Sequence, residues 1–170
     1  WVEIELDKVT ARILKHMHPD TEGRNTTFEE GFENVRLVSE QFDLAISNIP
    51  FGNYPVIDRS MKESQLKACI HDYFFAKAIS LVRPGGVIAF ITSRYTFDKK
   101  NKTFREWLAQ RMDLLAAVRL PDTAFRSNAG TQVVTDILFL QKRPALRAAG
   151  DLPGWVETQE IELDHDGYLN

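Results

Sequence analysis

The tetrapeptide Asn48-Ile49-Pro50-Phe51, inside "DLAISNIPFG", sets a side-chain amide, a backbone carbonyl, a proline and an aromatic ring side by side. An exocyclic amino group on a base is a poor nucleophile, because its lone pair is delocalised into the ring. Two acceptors that take both amino hydrogens draw the nitrogen toward tetrahedral geometry and free that pair for attack on a carbon electrophile. The Asn48 amide oxygen and the Ile49 carbonyl can be those acceptors. Pro50 restricts the turn, having a fixed φ and no N–H. Phe51 can stack on a base turned out of its duplex, a contact worth about 1–3 kcal/mol. The plainer reading is that Asn and Pro end a strand and Phe fills a core.

Other residues carry weaker chemistry. Glu5 and Glu33 each follow a short strand-like run and can accept from hydroxyl or amino groups, or stand as surface carboxylates near a helix start. Arg94, Lys99, Lys100 and Lys102, with Arg105, follow the run "FITS" and suit phosphate contact; a solvated basic loop is the alternative. Arg126, Ser127 and Asn128 lie in a later connection that can also reach a nucleic acid, and "NAGT" reads as a turn. His16 and His18 point apart at a helix end, so solvent rather than metal is their reading. His71 and Asp72 sit in a helical stretch, where packing or a local hydrogen bond accounts for them. No metal site is expected.

These groups need elements to hold them. "VEIEL" reads as a strand, and Asp7 as the cap of a helix "KVTARILKHM" with Val9, Ile13 and Leu14 or Met17 at helical spacing. "TTF" is a short strand and "GFENVRLVSEQ" a loop or turn. "FDLAIS" is an apolar, β-branched run of the kind buried in a parallel sheet. Ser60 and Glu63 have capping-box spacing before the helix "SQLKACIHDYFFAKAISLV", whose aromatics read as core; Pro84-Gly85-Gly86 would end it. "VIAFITS" is a strand, Thr103 and Glu106 a second capping box for "FREWLAQRM", and "LLAAVRL" and "TQVVTDILFLQ" two further strands. Strands alternating with helices predict an α/β domain, whose ligands lie beyond the carboxyl ends of its strands. Glu5, Glu33 and Asn48–Phe51 all fall at such ends.

At 170 residues the chain suits one domain of ordinary size. No run approaches the roughly 18 apolar residues of a membrane span. A single cysteine, Cys69, rules out an intrachain disulfide and fits a cytoplasmic home. The net charge of −3 is unevenly spread. Residues 1–93 carry ten basic and thirteen acidic side chains, residues 94–147 eleven and five, and residues 148–170 none and six. The basic block suits a polyanion or a solvated face. We expect a core over 1–147 and an acidic extension over 148–170. The chain opens at Trp1, directly in strand-like sequence, which suggests a piece of a longer polypeptide.

"SNIPFG" resembles the Asn-Pro-Pro-Tyr/Phe motif of the amino-methylating, S-adenosylmethionine-dependent methyltransferases, chiefly the N6-adenine DNA methylases. "VEIELD" resembles their acidic motif and "GFE" the motif after the next strand. "HDYFFAKAISLVRPGGVIAFITS" and "LLAAVRLPDTAFRSNAGTQVVTDILFLQK" resemble the segments that follow the catalytic loop. The likeness runs in order over residues 1–143 and is greatest to the methylase portion of large phage and plasmid helicase–methylase proteins. It implies a Rossmann-like methyltransferase fold, a mostly parallel sheet with an antiparallel last strand. It also implies an S-adenosylmethionine cofactor, with Glu5 on its ribose hydroxyls, Leu6 against its adenine and Glu33 on its amino group. Asn48, with Ile49, Pro50 and Phe51, would stand between cofactor and target base. DNA is the implied partner.

Two departures stand out. Ile49 replaces the first proline, which leaves the backbone carbonyl in place. The family's Gly-rich loop after its first strand is absent, and "RPGGV" sits before a strand rather than after one. A missing or altered first strand is therefore expected. Three alternatives to a DNA adenine methyltransferase stay open: action on RNA, action on a protein glutamine, or a non-catalytic scaffold domain of a larger DNA-processing protein.

Overall fold

The computed structural model describes residues 1–61, 69–125 and 133–159. The sheet is split. Strands β1 (Val2–Ile4) and β2 (Thr26–Phe28) form one parallel pair. Strands β3 (Phe42–Asn48), β4 (Val82–Ser93), β5 (Met112–Leu120) and β6 (Thr135–Lys142) form a second sheet in the order β3-β4-β6-β5. Within it β3 pairs parallel with β4, and β6 runs antiparallel to both β4 and β5. That is the expected pattern of like-directed strands with one reversed at the end. The expected irregularity is also present, as a break between β1 and β3, which share no hydrogen-bonded pairing.

Helix α1 (Lys8–Met17) matches its sequence expectation in extent and cap. Asp7 Oδ1 accepts from the Thr10 N–H and hydroxyl, each at 2.8 Å. Its buried face differs from expectation. Ala11 is the buried residue, while Val9, Ile13 and Met17 are exposed. A small side chain lets the helix close on β2, and the larger apolar residues face outward.

Helix α2 (Ile70–Leu81) is nearly all buried and supplies Phe75, Ala78 and Ile79 to the core. The capping box expected at Ser60 does not form. The Ser60 N–H and hydroxyl both donate to Asp58, and α2 starts after Cys69, whose backbone is extended. Glu63 lies outside the described residues. The helix ends at Leu81, with β4 following at once, so Pro84-Gly85-Gly86 is not a linker but an irregularity inside β4. Gly85 takes φ +79°, and a Cβ on Gly86 would stand 2.9 Å from the Asp43 carbonyl, so neither position accepts a side chain without strain.

Helix α3 (Tyr95–Asp98) is a single turn, and α4 (Thr103–Arg111) begins differently from expectation. Lys102 holds the cap position without a side-chain cap bond, and Asn101 Oδ1, just before it, accepts from the Thr103 N–H at 2.9 Å. Glu106 turns to Lys102 instead. A 3₁₀ turn over Gly154–Val156 lies within the acidic extension. This turn packs on α4, with the Val156 carbonyl accepting from Arg105 Nε at 2.7 Å.

Helices α2 and α4 bury one face of the larger sheet through Ile88, Phe90, Leu138 and Leu140. The opposite face carries Leu44, Ile46, Val118 and Phe139, all exposed. The run "FDLAIS" is thus a strand as expected but is covered on one side only, with Ile46 72% exposed. No helix among the described residues is long and apolar enough to cross a membrane.

Candidate active site

Asn48 is the last residue of β3 and stands in register with Ile91 of β4. The ladder continues one step further, because the Ile49 N–H donates to the Ile91 carbonyl at 3.1 Å. The Ile49 side chain is 2% exposed and belongs to the main core cluster. An isoleucine where the motif has proline therefore anchors the turn by burial rather than by ring closure. Beyond it the chain leaves the sheet, and Phe51 is 39% exposed.

The break between the two sheets is a cavity of about 520 Å³. Val2 and Ile4 of β1 line one side, and Leu44 and Ile46 of β3 the other. Glu5, Leu6, Glu33, Asn48 and Pro50 all reach it, as does Tyr54. The structure thus brings Glu5 and Pro50, 45 positions apart in the sequence, to one cavity. Glu5 Oε1 accepts from the Asp7 N–H at 2.8 Å, which fixes its carboxylate at the end of β1. Leu6 is 71% exposed beside it. The Glu33 carboxylate folds over Gly31, where a Cβ would lie 2.2 Å from Oε1.

A buried ion pair holds the Glu33 turn. Lys77 Nζ of α2 donates to the carbonyls of Phe32 and Val35 and to Asp58 Oδ2, the last at 2.9 Å. The Tyr73 hydroxyl donates to the same Asp58 oxygen at 2.8 Å. Burial alone would raise the Asp58 carboxyl, but hydrogen bonds from Ser60, Lys77 and Tyr73 outweigh it and hold the group well below its ordinary range. Burial lowers Lys77, and the Asp58 charge opposes that shift. Burial and the Asp58 bond push Tyr73 up, so its phenol remains a donor. Every proton on Lys77 has an acceptor, the condition under which a buried charge is tolerated.

The other end of α2 meets the Asn48 loop. Cys69 Sγ–H donates to the Gly52 carbonyl at 3.2 Å. His71 is buried beside it, and burial, followed by the Lys99 charge, holds its imidazole below the ordinary value. Sequence reasoning treated Cys69, His71, Asp58 and Lys77 as unremarkable. The available signal was polar residues set inside the otherwise apolar "ACIHDYFFAKAISL".

The basic residues after β4 lie at the same sheet edge as Asn48, since β3 and β4 are parallel and Arg94 follows Ile91 by three residues. Arg94 lies over the Tyr95 ring at 5.2 Å. Lys99 pairs with Asp72 at 3.6 Å, and Lys102 with Glu106 and Glu157. Lys100 is exposed on the same loop. Arg105 is buried against backbone carbonyls. Arg126, with Ser127, Asn128 and the "NAGT" turn, lies outside the described residues. His18 is not simply solvated; its Nδ1 stands 2.7 Å from Glu3 Oε1.

Comparison with known proteins places this geometry. The Eco57I restriction-modification methylase family matches residues 3–125. The Defense against restriction protein B of Escherichia phage P1 is 30% identical over 97% of this chain, which corresponds to 7% of that protein. The type II methyltransferase M.BanIII of Aneurinibacillus aneurinilyticus is 28% identical over 68% of this chain and 20% of its own length. The chain therefore spans a small part of these relatives. Among solved structures, the M protein of the type I restriction enzyme EcoKI superposes with a TM-score of 0.60 at 21% identity, covering 86% of this chain and 32% of that one. A Listeria monocytogenes protein described as a class I S-adenosylmethionine-dependent methyltransferase gives 0.64 at 18% identity, covering 84% and 44%. These likenesses establish the Rossmann-like methyltransferase fold. With more than half its length matched, the chain belongs to the Eco57I restriction-modification methylase family.

Proposed function

We propose that this chain is the catalytic core of an S-adenosylmethionine-dependent methyltransferase acting on the N6 amino group of adenine in DNA, working within a longer polypeptide. The observation that carries the reading is the opening of Asn48 and Pro50 onto the same cavity as Glu5, Leu6 and Glu33. The donor set fits the cofactor. A carboxylate at the end of β1 suits a pair of vicinal hydroxyls, because charge-assisted hydrogen bonds are the stronger ones. Leu6 offers an apolar surface to an adenine ring, and Glu33 an acceptor for its amino group. When bound, the cofactor supplies a methyl group made electrophilic by a sulfonium.

The chain's own residues do the rest. Asn48 Oδ1 and the Ile49 carbonyl accept the two hydrogens of the target amino group and aim its lone pair into the cavity. N6 would gain the methyl as the sulfonium carbon–sulfur bond breaks to leave a neutral thioether, and one of its two hydrogens would depart as a proton past these acceptors to water. Phe51 stacks on the extruded base. Arg94, Lys99 and Lys100, on the loop after β4, lie where phosphates flanking that base would pass, and Arg126 is a further candidate. The small share of each relative that the chain spans supports a longer polypeptide, which would supply the Gly-rich loop and the reading of target sequence.

The test is product identity. The intact polypeptide is incubated with methyl-labelled S-adenosylmethionine and a mixed-sequence duplex, and the DNA is digested to nucleosides for mass spectrometry. Label in N6-methyldeoxyadenosine is the expected result. Label on RNA or protein glutamine instead would replace the substrate in this reading. The split sheet favours one other reading, a scaffold that keeps the fold without the chemistry, and absence of label from every substrate would establish it.

A further inference from the structure

Two aromatic rings leave the Asn48 loop, and they go different ways. Tyr54 lines the cavity between the sheets together with Glu5, Leu6, Glu33, Asn48 and Pro50, whereas Phe51 does not. The Tyr54 ring is seated on Gly52: a Cβ at that glycine would stand 2.3 Å from Cε1 and 2.7 Å from Cδ1 of the ring. Gly52 does not take a left-handed φ, so the missing side chain serves the room the ring needs and not the backbone's conformation. The seat is held in turn, because the Gly52 carbonyl accepts from Cys69 Sγ–H at 3.2 Å. Pro55 follows and keeps the Tyr54 backbone out of the helical region. Half of the tyrosine is nevertheless exposed, an aromatic surface left at a cavity wall.

We propose that Tyr54 distinguishes the charged cofactor from its spent form, its ring walling the cavity against the sulfonium of S-adenosylmethionine. The inference rests on the function proposed above and deepens it, by naming a residue that selects the ligand's charge. In that reading Glu5, Leu6 and Glu33 take the nucleoside end of the cofactor. The methyl must then lie toward the other end, within reach of an amino group held by Asn48 and Ile49. Contact with Gly52, two residues past Pro50, keeps the Tyr54 ring at that end.

The chemistry of an aromatic face suits this task. Its quadrupole attracts a cation and has no such hold on a neutral thioether. Methyl transfer breaks the sulfonium carbon–sulfur bond and leaves that thioether, S-adenosylhomocysteine, so a ring that favours the charged cofactor lets go of the product. A cation over an aromatic ring gains on the order of 2- to 30-fold in affinity, the larger figure where water is excluded. A half-exposed ring falls between those limits. Glu5 and Glu33 also attract positive charge, but substitutions at Tyr54 leave both carboxylates in place, so a change in selectivity reports the ring.

The test compares affinities for the two forms of the cofactor and not turnover. Calorimetric titrations with S-adenosylmethionine and with S-adenosylhomocysteine are run on the intact polypeptide as wild type, Tyr54→Phe, Tyr54→Leu and Gly52→Ala. Tyr54→Leu is expected to lower the ratio of the two affinities about 5-fold, through weaker binding of S-adenosylmethionine, with S-adenosylhomocysteine changed by less than about twofold. Tyr54→Phe keeps the ring and should keep the ratio. Gly52→Ala keeps the tyrosine but sets a methyl where its ring lies, so it should lower the ratio in the same direction, and it carries the test if Tyr54→Leu does not fold. An unchanged ratio in Tyr54→Leu, equal weakening of both ligands included, overturns the inference and leaves the proposed function standing. A ratio lost in Tyr54→Phe would assign the effect to the hydroxyl and overturn it as well. A wild-type protein that binds neither ligand would instead sink the proposed function, and the role of Tyr54 with it.

Discussion

At the scale of single residues, the site depends on what Asn48 can offer that a smaller side chain cannot. In the proposed function its amide oxygen is one of two acceptors on the attacking amino group, and it would act where charge develops on nitrogen during transfer. Removing one pre-aimed partner of this kind typically costs about 10²–10³-fold in kcat. Asn48→Ala is therefore expected to lower single-turnover methyl transfer by about that factor, with cofactor affinity changed much less; an unchanged rate would remove Asn48 from the chemistry. Asn48, Ile49, Pro50 and Phe51 were legible because their types and order carry chemistry on their own. Ile49 shows the limit of that reading. As a letter it is a departure from proline, and only the fold shows its side chain buried in the core, doing by packing what a ring would do by covalent constraint.

At the scale of elements, α2 is the part that orders the site. Its first turn reaches the Asn48 loop, and its middle, through Lys77, holds the turn bearing Glu33. Breaking a buried ion pair by truncating one partner costs about 3–5 kcal/mol. Asp58→Ala should accordingly lower the melting temperature by roughly 6–20 °C, at about 2–4 °C per kcal/mol for a chain of this size. Asp58 also has a pH signature. Its carboxyl is held below the ordinary value of 3.8, so its stabilisation is complete above about pH 4 and is lost as pH falls below that. Denaturant melts of wild type and Asp58→Asn between pH 2 and 7 should show the acid loss flattened in the variant; parallel curves would contradict it. The extents of α1, β3 and α4 were readable from periodicity, yet their caps and faces were not all so. Ser60 and Thr103 have capping-box spacing, but Asp58 captures the first and Asn101 displaces the second. A local motif loses when a nearby side chain offers a competing partner.

At the scale of the whole molecule, the charge of the basic block turns out to be largely spoken for. Arg119 pairs with Asp98 and Asp136, Lys142 with Glu40, and Arg143 and Arg147 with Asp113. Much of the basic block of residues 94–147 thus braces the fold, and the proposed function assigns phosphate contact to the short loop after β4. Composition could not separate the two, because pairing is decided in space. The α/β class, by contrast, followed from alternating strands and helices, the antiparallel last strand from the family resemblance, and the break in the sheet from the missing Gly-rich loop. That break sets Glu5 and Leu6, just past β1, across a cavity from Asn48 of β3, and under the proposed function cofactor binding would draw on both sides. Calorimetric titration of the intact polypeptide with S-adenosylmethionine, with Glu5→Ala beside it, reads this directly. A charge-assisted hydrogen bond is worth about 1.5–3 kcal/mol, so saturable binding that weakens at least about 10-fold in Glu5→Ala is the expected result. Absence of binding, or affinity indifferent to Glu5, would contradict a cofactor site in the break between the sheets.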